Sequence, residues 1–200
     1  MARPITDELL QEFEQRLRDL GAPVVRYWRP GATDAVLASV EHEIGFRLPA
    51  EMATWWRWHD GLEPAAGAER ADWIGPGFEP MSIAQALTQF RLARDIAARV
   101  GTSIRPADWW WDPGWLPLVH LPAGWIVGEC TEHPRKTTPL RVIEPATFDT
   151  GAFRHPVGES LGDLVAAWTK AIDRGAWFLG DEGWEWRGDD EDPRHRAGLI

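Results

Sequence analysis

A single cysteine, Cys130, excludes an internal disulfide and any multi-thiolate metal site, and gives no sign of an oxidising compartment. No apolar run approaches the roughly 20 residues that span a bilayer, and Met1–Leu20 is amphipathic and charged, unlike a signal peptide. A soluble, cytoplasmic chain without a membrane partner is expected. Positive charge is scarce: Lys136 and Lys170 are the only lysines, 21 basic residues face 31 acidic ones, and the net charge is −10. That balance argues against a general nucleic-acid binder, whose footprint is positive, and favours basic partners. There is no glycine-rich loop with a lysine to cradle phosphate. His42-Glu43 lacks the second histidine of a zinc helix, and Cys130 with His133 is one pair without a partner pair, so neither metal nor cofactor is expected.

What the chain has in excess is tryptophan, 14 residues against the single tyrosine Tyr27. Indoles bring large apolar area and one donor each, which suits packing or recognition. With 200 residues the chain suffices for one well-filled domain.

Apolar spacing predicts a helix from the cap Thr6 through Leu9, Leu10, Phe13, Leu17 and Leu20 to Gly21. A second starts at Thr33, carries Val36, Leu37, Val40 and Ile44 on one face and stops at Gly45. Leu48-Pro49 opens a third, with Met52, Trp55, Trp56 and His59 at helical spacing before Asp60-Gly61. Residues 62–80 read as a loop, and Ser82 with Gln85 forms a capping box for a fourth helix that runs to about Val100. The period then shortens: Trp115–Val119, Trp125–Cys130 and Leu140–Ile143 read as antiparallel strands. Ser160 caps a last helix with Leu161, Leu164, Val165, Trp168 and Ile172 in one stripe, and Trp177–Trp186 could add a strand. Helices, then strands, then a helix predict an α+β domain with a mostly antiparallel central sheet and helices at its edge and on one face.

Few residues propose chemistry. Gly158-Glu159-Ser160-Leu161-Gly162 fits the G-x-S-x-G nucleophile elbow, but Phe153–Val157 is not an apolar lead-in strand and the only later histidine is His195. Helix capping by Ser160 explains the same residues, so no catalytic residue is expected. His59, among tryptophans, reads as a hydrogen-bonded core histidine. Gly61 suits a left-handed helix end, and Asp60 there opposes the helix dipole, which calls for a compensating donor from the following loop or for a partner. At least one of the consecutive Trp109, Trp110 and Trp111 must point away from the core, as an anchor for a partner or as cover for the sheet edge.

The run Glu41-His-Glu-Ile-Gly45-Phe-Arg-Leu48-Pro49, the helix ending Trp56-Arg-Trp-His and then Asp60-Gly61 resemble the opening of the SUKH superfamily in order and spacing. Trp115-Leu116-Pro117-Leu118 and Trp125–Glu129 look like that family's first central strands, with Glu129 where an aspartate often stands, and Ser160–Arg174 looks like its closing helix. The family joins fungal cell-wall regulators of the Smi and Knr type with bacterial immunity proteins that neutralise polymorphic toxins, many of them nucleases.

The resemblance implies a non-catalytic protein-binding module: an immunity protein for a basic toxin domain, or else a regulatory scaffold. Aromatic richness alone supports a carbohydrate-binding alternative that uses the loop from Trp109 to Trp115. The expected organisation is a helical extension over 1–32, the family domain over 33–178 and an acidic, mobile tail over 179–200. Asp60, Trp109, Trp110, Trp111 and Glu129 are the partner-binding candidates. Glu41, Gly45, Leu48, Pro49, Gly61, Trp115, Leu116 and Pro117 are expected to be structural.

Overall fold

The computed structural model describes residues 2–63, 73–100, 111–144 and 154–187. Helix α1 (Asp7–Asp19) begins where the Thr6 hydroxyl accepts the Leu9 N–H at 3.3 Å, and α2 (Asp34–Ile44) begins at Thr33 in the same way. The α2 helix closes on Gly45 at φ +78°, and α3 (Ala50–Trp58) follows directly after Pro49. In α4 (Ile83–Val100) the capping box forms as expected: the Ser82 hydroxyl accepts the Gln85 N–H at 3.2 Å and Gln85 Oε1 accepts the Ser82 N–H at 2.8 Å. Helix α5 (Leu161–Asp173) is capped by Ser160, whose Oγ accepts the Asp163 N–H at 3.0 Å. The Asp163 carboxylate turns to the backbone N–H of Arg3 at 3.3 Å rather than completing a box.

Strands β1 (Glu79–Pro80), β2 (Trp115–Leu121), β3 (Gly124–Glu129), β4 (Leu140–Ile143) and β5 (Arg154–Gly158) form one antiparallel sheet in chain order. A register shift between Pro117 and Val119 makes a bulge at Leu118. Two of these strands depart from the sequence reading. β1 lies in the segment taken as loop, and β5 is the lead-in to Ser160 that its sequence did not show; both are short edge strands interrupted by proline and exist by pairing, not by propensity. Beyond α5, β6 (Trp177–Gly180) and β7 (Gly183–Trp186) form a separate hairpin. Residues 179–187, read above with the acidic tail, thus belong to ordered structure, and 188–200 lie outside the described residues.

Adjacent strand residues point to opposite faces. On one face Leu118, Ile126 and Leu140 meet Phe13 and Leu17 of α1, Met52, Trp55 and Trp56 of α3 and Trp168 of α5, all fully buried in one core. On the other face Val127 and Ile143 pack with Trp111, Trp115 and the α4 residues Ala93 and Ala97. Trp168 collects α1 and α3, with ring centroids 5.8 Å from Phe13 and 6.4 Å from Trp55. The N-terminal helix is therefore part of the common core, and Arg16 joins it to α5 by a 2.8 Å bond to Asp173.

Candidate functional site

The Glu41–Pro49 motif is a joint between α2, α3 and the loop from β3 to β4. Glu41 Oε1 accepts the Leu48 N–H at 2.9 Å, and Oε2 lies 2.8 Å from the Arg47 guanidinium. Left-handed Gly45 returns its N–H to the Glu41 carbonyl at 3.0 Å, which reverses the chain, while Leu48 and Pro49 are buried. Three backbone bonds then fasten this turn to the loop: Arg47 N–H to Thr131 O at 2.9 Å, Ala50 N–H to Arg135 O at 2.8 Å and Glu51 N–H to Lys136 O at 3.3 Å. An open cleft of about 460 Å³ remains between them, lined by Ala38, Glu41, His42, Gly45, Phe46, Arg47 and Glu132. Glu129 stands at the base of the same loop, 3.7 Å from Arg135, its backbone gripped on both sides by the Thr138 hydroxyl.

Sequence reasoning passed over the most perturbed carboxyl in this region. Glu51 is 2% exposed, and its Oε1 accepts the N–H groups of Thr138 at 2.7 Å and of Leu161, the first residue of α5, at 2.9 Å. Among the described residues no group meets hydrogen-bond geometry at its Oε2, although the Ile5 amide is close enough to act on the carboxylate. Burial pushes its carboxyl up to about 7, against the opposing pull of the Leu161, Thr138 and Ile5 amides. The available signal was a carboxylate four residues before Trp55 on the buried helix face, which in isolation reads as a first-turn complement to the helix dipole.

The other predicted residues are distributed over the fold. Asp60 Oδ1 accepts the Ile83 N–H at 2.7 Å, so the compensating donor exists but comes from the start of α4 rather than the following loop. There the carboxylate is on the favourable side of a helix dipole. Gly61 has φ +70°, and a β-carbon on it would run into the Ser82 backbone. Trp111 is 2% exposed, with its ring centroid 5.8 Å from that of Trp115; it covers the second sheet face and presents no exposed indole to a partner. Trp109 and Trp110 lie outside the described residues. Trp115, Leu116 and Pro117 are buried in β2. His59 stacks on Trp28 at 4.5 Å, its Nδ1 lies 3.0 Å from the Arg29 carbonyl, and burial lowers its pKa. Cys130 is buried, with its thiol pushed up to about 12 by desolvation, so it is no nucleophile near neutrality. Ser160 is fully buried and its Oγ donates to the Arg3 carbonyl at 2.6 Å, which removes it from substrate access. Among the described residues no three His, Cys, Asp or Glu side chains stand together to hold a metal, and no helix is long and apolar enough to cross a membrane.

The motif positions thus act as an interlocked turn, and the sequence matches the SMI1 / KNR4 family (SUKH-1) over residues 31–166. The chain belongs to this family. No curated protein matches it. SUKH domains generally bind protein partners. The matched span runs from just before α2 into α5; α1 and the β6–β7 hairpin lie outside it, yet Phe13 and Trp177 pack in the same core as the SUKH elements.

Proposed function

We propose that this chain is a non-catalytic, cytoplasmic immunity protein that binds a toxin domain and neutralises it by stoichiometric occlusion. Family membership carries the reading, and the net charge of −10 supports a basic partner, because a surface of one sign speeds encounter with its opposite. The chemistry of the described residues is consistent with binding rather than turnover: the most perturbed carboxyl, Glu51, joins α3 to α5, and the serine of the G-x-S-x-G match caps α5 and holds the Arg3 carbonyl, both away from solvent. Acidic side chains would steer association, and a few desolvated side chains would supply most of the affinity. Co-expression with toxins encoded beside its gene tests the proposal. Rescue of growth together with a one-to-one complex is expected; neither rescue nor a complex with any of them refutes it.

A further inference from the structure

We propose that the cleft between α2 and the β3–β4 loop receives an arginine side chain of the partner protein, an inference that rests on the binding reading above. Three independent features of the cleft favour a cation. The C-terminal end of α2 opens into it, and the last carbonyls of a helix carry partial negative charge. Glu132 lines it as an exposed carboxylate without an ion-pair partner among the described residues, while Glu41 and Arg47, the one permanent cation of the lining, already offset each other. The half-buried ring of Phe46 supplies an aromatic wall.

The choice of arginine over lysine follows from shape. Arg47 already sets a guanidinium against Glu41 Oε2 at 2.8 Å and the Leu48 N–H holds Oε1, so Glu132 is the carboxylate left to an incoming side chain. A planar fork can pair with a carboxylate and stack on a ring at once, whereas an ammonium acts as a point charge. Access is open: Gly45 presents bare backbone, with nothing within 4 Å of where a β-carbon would stand, and Ala38 and His42 are exposed on the approaching helix face. An acidic side chain would meet the two carboxylates and the helix end with no compensating cation beyond Arg47.

Titration of the full chain with N-acetyl-arginine amide, followed by backbone amide NMR, tests the cleft without the partner. Shifts centred on Ala38, His42, Gly45, Arg47 and Glu132 are expected, smaller with the lysine analogue and absent with the isosteric, neutral citrulline analogue. Glu132→Gln should weaken arginine binding by about two- to fivefold, as for an exposed charge pair, and Ala38→Arg should abolish it by filling the cleft with a like charge. Both positions are exposed, and unchanged melting temperatures would show that the fold is intact. Shifts spread over carboxylates elsewhere, or binding that citrulline reproduces or both substitutions leave unchanged, overturn the proposal. A toxin that binds wild type and Ala38→Arg equally would overturn the cleft while leaving the immunity reading standing. A localised arginine titration with no toxin partner found would do the reverse.

Discussion

Replacing Glu51 by glutamine should make the protein more stable in alkaline than in acidic solution relative to wild type. The buried carboxyl titrates at about 7 instead of the ordinary 4.5 because desolvation disfavours its ionised form. Between those values the folded state holds a proton that the unfolded state has released. This group's favourable contribution is therefore complete below pH 4.5 and is lost as pH rises through 7. At 1.36 kcal/mol per pH unit the interval is worth about 3 kcal/mol, most of it between pH 5 and pH 8. Glutamine keeps an oxygen for the Thr138 and Leu161 N–H groups and has no ionisation to lose. Its amide nitrogen takes the place of Oε2, which has no acceptor partner to offer it among the described residues, at a cost of about 1 to 3 kcal/mol that does not vary with pH. Urea unfolding of both proteins by tryptophan fluorescence separates the two terms. The stability of Glu51→Gln minus that of wild type should rise by about 2 to 3 kcal/mol from pH 5 to pH 8, since titrating groups that do not interact with Glu51 cancel in the difference. Parallel pH profiles would refute the reasoning.

Gly61→Ala combines a left-handed φ of +70° with a collision against Ser82, so its loss should exceed the roughly 1 to 2 kcal/mol of the conformational penalty alone, measured by urea unfolding. Asp60→Asn keeps an acceptor for the Ile83 N–H but removes the charge from the start of α4, which should lower stability by about 0.3 to 1 kcal/mol. A stability unchanged or raised on that substitution, with slower partner association that salt diminishes, would instead assign Asp60 to the interface. Ser160→Ala should cost about 1 to 2 kcal/mol in thermal unfolding, because it removes the α5 cap and leaves the Arg3 carbonyl without its donor. A hydrolase activity lost on that substitution with the fold intact would contradict the binding reading.

The helices were legible because their signals are local. Thr6, Thr33, Ser82 and Ser160 each cap the helix that the apolar spacing demanded, and Gly45 ends α2 by a conformation that its missing β-carbon makes cheap. Strands β2, β3 and β4 were legible for the same reason, as runs of β-branched and aromatic residues between turns. β1 and β5 were not. Glu79-Pro80 gains its strand geometry from β2, where Glu79 is opposite His120 and its carboxylate lies 3.1 Å from the imidazole, a relation across 41 residues that no local window contains.

The candidate site divides along the same line. Gly45 and Pro49 could be read as turn residues, and Gly61 as one needing a left-handed backbone, because each requirement belongs to the residue's own dihedral angles. Glu41 and Asp60 could be noticed but not explained: each carboxylate satisfies an N–H that the fold delivers, Leu48 after a reversal and Ile83 from another helix. Glu51 was invisible as anything but a helix-start acid, since its partners Thr138 and Leu161 stand 87 and 110 residues away. Trp111 shows the converse. Its inward placement depends on Ala93 and Ala97, small residues on α4 that leave room for a large ring against the sheet, and the run of three indoles does not announce them. Recognition residues are harder still, because an exposed side chain such as Glu132 leaves no packing signature in the sequence. Its significance comes only from the helix end, the ring and the second carboxylate that the fold places beside it.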